Sequence, residues 1–126
     1  MFLQAAAVAF GGAAGALARW SLGFLVNDLW AYIPPGTMFV NILGGYLAGL
    51  ATPFFLNNPH IAQEWRLLAV TGFLGGLTTF SAFTIDVMTL LQSGRWFAGA
   101  AGIALHVAGA LVAMALGAAT YGVFAR

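Results

Sequence analysis

The residues best suited to chemistry lie together in one segment, Gly72 to Phe83, which reads Gly-Phe-Leu-Gly-Gly-Leu-Thr-Thr-Phe-Ser-Ala-Phe. Glycines, hydroxyls and two phenylalanines occur there within a stretch otherwise apolar enough to span a membrane. A spanning helix must satisfy its backbone polar groups internally, so a segment that loosens the helix is tolerated only where protein or a water-filled path covers it. The segment therefore predicts a broken membrane helix with a permeation or binding site at the break.

The two phenylalanines of this segment, Phe80 and Phe83, are three residues apart and share one face of a helix. An aromatic ring has a negative face and a positive edge, so a ring held edge-on in a dry path can stabilise an anion. Packing in the core or against lipid is the alternative for phenylalanines at this spacing. Their position directly after the break favours the anion.

Asn41 is the only carboxamide within the second apolar stretch of the chain. A buried amide in hydrocarbon needs partners, and its NH2 group could donate to an anion or to a neighbouring helix. Both interpretations stay open at this point.

Three ionisable residues also lie within apolar stretches: Arg19, Asp86 and His106. For Arg19, snorkelling to the interface or pairing is favoured over contact with a transported ion. Asp86 could face an aqueous vestibule or pair with an arginine. His106 is a functional hypothesis because it is embedded in the membrane, although a histidine satisfied by a carbonyl or hydroxyl is the favoured interpretation.

Four apolar stretches must position these residues, at about 2–26, 36–56, 62–91 and 95–125. Each is long enough for the ~20 helical residues that cross a bilayer core. The sequence therefore predicts an all-α membrane protein, a single four-helix transmembrane domain over 1–126 with a broken third helix. Amphipathic aromatic residues near the predicted ends support these limits: Trp20, Trp30, Tyr32, Trp65, Trp96 and Tyr121.

Three pairs of glycines are spaced four residues apart, which allows helices to approach closely in lipid. The pairs are Gly11 with Gly15, Gly45 with Gly49, and Gly72 with Gly76. Tight packing is the favoured role of the first two pairs, whereas the third overlaps the break.

The four arginines, Arg19, Arg66, Arg95 and Arg126, are divided evenly between the two sides of a four-span chain. Without an excess of positive charge on one side, the chain could insert in both orientations. Two inverted copies could then pair as an antiparallel dimer, which also gives four short helices more room for a path than one subunit has.

The composition excludes several classes of protein. The chain is 62% hydrophobic and 6% charged, too few charges to cover a soluble domain of 126 residues. Its scattered arginines argue against nucleic-acid binding, and it has no cysteine for a disulfide or thiolate site. No pattern of nucleophile, paired carboxylates or metal ligands points to an enzyme.

Motifs along almost the whole chain resemble the Fluc (CrcB-type) fluoride ion channels. They are Gly11-Gly12-x-x-Gly15 with Arg19-Trp20, Pro35-Gly36-Thr37-x-x-x-Asn41, Gly72-x-x-Gly75-Gly76-Leu77-Thr78-Thr79-Phe80-Ser81-x-Phe83, and His106-Val107-x-Gly109. The third-span motif is the most specific of them. Members of that family often have hydroxyls at the positions of Ala82 and Ala110.

The resemblance implies a fluoride-selective channel that exports fluoride passively from the cytoplasm, built as an antiparallel, dual-topology homodimer. It implies that Phe80 and Phe83 line the fluoride path with ring edges and that Asn41 is a polar donor near a vestibule. It further implies a structural sodium ion on the dimer axis, held by the backbone carbonyls of Gly75 and Thr78. The hydroxyls of Thr37, Thr79 and Ser81 are candidates to line the path.

A small multidrug exporter is the alternative function, because such proteins are also four-span dimers of dual topology. Proton-coupled exporters of that kind need a membrane-buried carboxylate in the first helix, and this first stretch has none. Short loops and the lack of a recognisable targeting segment predict a bacterial inner membrane, with membrane lipid as the surroundings.

Overall fold

The computed structural model describes residues 1–29 and 35–126, and within them four helices are long and apolar enough to cross a membrane. The first is Phe2–Val26, the second Pro35–Asn57 and the fourth Trp96–Phe124. The third span, Gln63–Gln92, is interrupted near its middle. The predicted all-α architecture with a broken third helix is confirmed.

The third span has an irregular N-terminal half. An α-helical turn, Gln63–Arg66, leads into a π-helix, Leu67–Leu74, and a last α-helical turn, Gly75–Leu77. Wide π-helical turns inside α-helices occur frequently at functional sites. We call residues 63–77 the N-terminal half of the span.

The helix breaks at two threonines. Thr78 has φ −83° and ψ 157°, and Thr79 has φ −148° and ψ 116°, so both are extended. The chain then returns to an α-helix, Phe80–Gln92, which we call the C-terminal half. The break thus lies where the glycine and threonine cluster predicted it.

The first helix and the N-terminal half of the third span touch through their backbones. A Cβ atom at Gly11 would overlap the carbonyl oxygen of Leu68, and one at Gly15 would overlap that of Phe73. From the other side, a Cβ at Gly72 would lie 2.9 Å from the Cα of Gly11. The glycine pair that overlaps the break therefore serves helix packing, as the first pair does.

The second and fourth helices form a similar contact. A Cβ at Gly45 would come within 2.6 Å of the carbonyl oxygen of Ala110, and one at Gly117 would overlap that of Tyr46. The Tyr46 hydroxyl also donates to Thr120 Oγ1 at 3.1 Å, which ties the middle of the second helix to the C-terminal end of the fourth.

The buried core is small and the exterior is apolar. Val40, Leu74 and Leu77 form the core cluster, while large apolar side chains on all four helices are exposed. Such a surface suits hydrocarbon better than water. The exposed side chains include Trp20, Trp65 and Trp96, near the predicted membrane boundaries. Trp30 and Tyr32, predicted for the same boundaries, lie outside the described residues.

Candidate functional site

The side chain of Asn41 binds the backbone at the break in the third span. Its Nδ2 donates to the carbonyl oxygen of Thr79 at 3.0 Å, and its Oδ1 accepts from the backbone N–H of Thr79 at 2.7 Å. The amide thereby satisfies the Thr79 N–H, which the helix leaves unpaired. It adds a second donor to the Thr79 carbonyl, which as the residue before the helix Phe80–Gln92 also accepts the first bond of that helix. This pairing also defines which end of the amide is oxygen, because only oxygen accepts from an N–H.

The hydroxyls at the break are partly committed to the backbone. Thr79 Oγ1 accepts from the N–H of Ala82 at 3.1 Å and so caps the C-terminal half. It also lies 3.2 Å from the hydroxyl of Ser81, which is exposed. Thr78 Oγ1 donates back to the carbonyl oxygen of Leu74 at 2.9 Å. Thr79 and Ser81 are therefore the hydroxyls that face outward beside the break.

Arg19 reaches the end of the N-terminal half from the first helix. Its Nε donates to the carbonyl oxygen of Gly76 at 3.0 Å. The last carbonyls of a helix lack partners within it, and a cation there also complements the helix dipole. The contact supports the pairing role that the sequence favoured for Arg19.

Two further carbonyls at the break belong to Gly75 and Thr78. In an unbroken helix the N–H of Thr79 would donate to Gly75 four residues earlier, but here it donates to Asn41. Among residues 1–29 and 35–126, no group of three His, Cys, Asp or Glu side chains could hold a metal ion. Hard cations bind oxygen, so a sodium ion at this place would use the two backbone carbonyls. The oxygen donors present fit such an ion.

A groove of about 460 Å³ runs beside the break, and we call it the aromatic groove. Phe80 is 76% exposed above it, whereas Phe83 is 8% exposed and lies deeper. Their ring centroids are 5.5 Å apart, with the planes inclined by 52°. The ring of Phe83 in turn lies 4.5 Å from that of His106. The other predicted site residues in the lining are Asn41, Gly75, Thr78 and Thr79.

Two further cavities contain Arg19, Thr37 and Asp86, whereas Ser81 lines neither of them nor the aromatic groove. Arg19, Thr37 and Thr79 line a cavity of about 330 Å³ near the ends of the first two helices, which we call the vestibule. Asp86 and His106 line a third, mostly apolar cavity of about 310 Å³. Thr79 therefore borders both the vestibule and the aromatic groove, while Asp86 is separate from the groove.

Sequence reasoning missed the small residues that form one wall of the groove. Gly44, Gly45 and Ala48 follow Asn41 at helical spacing and line the groove with it. A Cβ at Gly44 would overlap the Cγ2 of Thr78, so a larger residue there would displace the Thr78 side chain at the break. The spacing i, i+3, i+4, i+7 from Asn41 is a signal that could have identified them.

The fold and the groove define a small membrane protein with four spans and a mainly apolar groove beside a broken helix. Residues 6–118 match the family model described as "CrcB-like protein, Camphor Resistance (CrcB)". The chain belongs to this family.

Eight curated relatives of the chain carry the name "Fluoride-specific ion channel FluC". That of Tolumonas auensis is 53% identical over 128 residues, covering 100% of this chain and 99% of the relative. That of Pseudomonas aeruginosa is 53% identical over 119 residues (93% and 92%), and that of Nitrosomonas europaea 46% over 114 residues (90% and 90%). The names denote channels, not enzymes, and the exporter alternative finds no support.

Proposed function

We propose that this protein is a fluoride-selective channel that lets fluoride leave the cytoplasm passively and so reduces fluoride toxicity. The observation that carries the proposal is the meeting of Asn41, Phe80 and Phe83 in one groove beside a broken membrane span. The names of relatives aligned with more than nine-tenths of the chain support it.

The path would replace the water around a small anion with fixed donors. The edges of the Phe80 and Phe83 rings carry positive charge, and the Asn41 amide and the Thr79 hydroxyl offer hydrogen atoms. The exposed Ser81 hydroxyl lies 3.2 Å from that of Thr79, next to the groove lining. Conduction requires that the ion bind well enough to enter and weakly enough to leave. A few donors with mainly apolar walls meet that requirement.

An ion entering through the vestibule would pass Thr79 before it reaches the phenylalanines. Thr37 lies in the vestibule wall, and Thr79 borders both spaces. Arg19 adds positive charge to the vestibule while it binds the Gly76 carbonyl. This order assigns Thr37 and Arg19 to entry and the phenylalanines to selection.

Fluoride efflux from proteoliposomes tests the proposal directly. Liposomes are loaded with potassium fluoride or potassium chloride, efflux is started with valinomycin, and the released anion is measured with an ion-selective electrode. We expect rapid fluoride efflux, negligible chloride efflux and no need for a proton gradient. Equal chloride efflux would refute the selectivity, and a requirement for a proton gradient would point to a coupled exporter.

A second, inverted copy would cover the open side of the aromatic groove. The exposed ring of Phe80 would otherwise face lipid, and the even distribution of arginines permits both orientations. A closed twofold dimer would bury the same surface on both copies.

The chain has no cysteine, so one exposed cysteine can report its orientation in the bacterial inner membrane. In the His60→Cys variant, a membrane-impermeant maleimide added to intact spheroplasts should label about half of the molecules, as an even mixture of two orientations requires. Permeabilised spheroplasts give the total. Labelling of all or none of the molecules would contradict the dual topology.

A structural sodium ion would lie between the two copies. Gly75 and Thr78 carbonyls from both copies would make a cage of four oxygens, the ligand type that hard cations prefer. We expect the unfolding temperature of the purified dimer to fall when sodium is replaced by N-methylglucamine, because a bound ion stabilises the folded state. An unfolding temperature independent of sodium would rule the ion out.

A further inference from the structure

We infer that the His106 imidazole accepts a hydrogen bond from the Asn41 amide when no ion is present, and that a passing fluoride ion replaces it as the acceptor. We call this the stand-in role of His106. The inference rests on the proposed channel function. It gives His106 a positioning role, since the residue acts on the ion through Asn41.

The Asn41 amide is held firmly on one side and loosely on the other. Its bonds to the Thr79 carbonyl and N–H measure 3.0 Å and 2.7 Å. Its Nδ2 lies 3.5 Å from His106 Nδ1, the long limit for such a bond. Because Nδ2 carries two hydrogens and Thr79 takes one, the second is left to the weak bond with His106.

His106 also lies where the ion would pass. Asn41, Phe83 and His106 line the same groove, and the imidazole lies 4.5 Å from the Phe83 ring. An anion held between the phenylalanine edges and the amide would therefore be a neighbour of the imidazole. To accept from Asn41, Nδ1 must carry no proton, so the neutral ring has its hydrogen on Nε2.

The weakness of this bond is useful to a channel. An amide N–H without a partner in a dry path would hold an anion tightly and release it slowly. An acceptor at 3.5 Å satisfies the N–H between ions, and an arriving fluoride displaces it easily. The imidazole thus lowers the affinity of the path for fluoride and speeds release.

Single-channel conductance in planar bilayers, measured against fluoride concentration, tests this role with two variants. His106→Leu removes the acceptor, and we expect the half-saturating fluoride concentration to fall about 3- to 10-fold, the effect of one neutral hydrogen bond. The maximal conductance should fall as well. His106→Asn places an amide oxygen near the position of Nδ1 and should restore both values towards those of the wild-type protein.

A merely structural role would lower the maximal conductance of both variants and leave the half-saturating concentration unchanged, which would overturn the inference. A wild-type protein that conducts no fluoride would overturn the proposed function together with it. The two failures are therefore distinguishable.

Nitrogen-15 NMR of labelled histidine in the full-length protein provides a readout independent of conduction. The chain has two histidines, and exposed His60 serves as an internal reference. We expect His106 to show a bare Nδ1, and added fluoride to shift the His106 signals but not those of His60. A proton on Nδ1 of neutral His106, or no response to fluoride, would refute the stand-in role.

Discussion

The two halves of the third span are held in different ways. The N-terminal half meets the first helix backbone to backbone, with Gly11 and Gly15 facing the carbonyls of Leu68 and Phe73. The C-terminal half, Phe80–Gln92, is held by side chains, among them the Phe83 ring against His106. At a backbone contact, an added side chain can be accommodated only if a helix moves. At a contact between side chains, a residue can be substituted while both helices stay in place.

The difference shows where such a small protein can place a path for ions. The N-terminal half provides a fixed end for the break, because Arg19 binds its Gly76 carbonyl. The other half carries the aromatic pair and the cap at Thr79. Asn41, on the second helix, binds the backbone of Thr79 at the break between the two halves. Substitutions at the backbone contacts of the N-terminal half should therefore destabilise the fold most, whereas substitution of the exposed aromatic residue in the C-terminal half should stop conduction.

Gly15→Ala should have the largest effect, because it disrupts the backbone contact between the first helix and the N-terminal half of the third span. The new Cβ would overlap the Phe73 carbonyl and lie 2.8 Å from the backbone nitrogen of Leu77, and neither can rotate away. We expect a loss of unfolding free energy at or above the upper end of the ~1–3 kcal/mol typical of overpacking. Denaturation in detergent measures it.

Gly102→Ala is the matched control, since a Cβ there meets nothing within 4 Å. Inside the fourth helix, Trp96–Phe124, the added methyl group should leave stability unchanged or raise it by up to ~1 kcal/mol, the difference in helix propensity. Similar behaviour of the two variants would remove the basis for calling the N-terminal half a fixed end of the break.

Phe80→Ile should abolish fluoride efflux while leaving folding intact. The ring is largely exposed in the subunit, so little packing is lost, but the positive ring edge disappears from the groove. Efflux from proteoliposomes should fall to the level of protein-free liposomes. Phe10→Ile, at another exposed phenylalanine on the first helix, should conduct normally. Undiminished efflux through Phe80→Ile would separate the aromatic pair from the path.

Asn41→Ala tests the side-chain bonds to the break. Removing the amide leaves the N–H of Thr79 without a partner and takes one of the donors from its carbonyl, which should cost about 1–3 kcal/mol of unfolding free energy. Asn58→Ala is the control, because the Asn58 amide donates to Phe54 at an exposed position, where ~0.5 kcal/mol or less is expected. If chemical denaturation shows equal losses, Asn41 does not stabilise the break.

Thr79→Ala should have the smallest effect of the four. It removes the cap on the N–H of Ala82 and should cost about 1 kcal/mol in chemical denaturation, while Thr79→Ser keeps the oxygen and should recover most of it. Thr89→Ala removes a hydroxyl that only donates to Ile85 within its own helix and should change stability by less than ~0.5 kcal/mol. A fully stable Thr79→Ala would mean that the C-terminal half does not depend on this cap.

Several features follow from the sequence because they are local. Apolar length alone places the four spans, and the helices begin and end within one residue of the predicted limits. The break could be placed because glycines and threonines weaken a helix wherever they cluster. The spacing of Phe80 and Phe83 also placed both rings beside one groove.

Other features depend on which helices meet, and local periodicity carries no information about that. Asn41 finds its partners 38 and 65 residues away, and Arg19 finds Gly76 57 residues away. Phe80 is exposed and Phe83 is buried although they share a helix face, because the fourth helix covers only the second ring. A side chain's own helix sets its direction, but only the packing of the other helices decides what it touches.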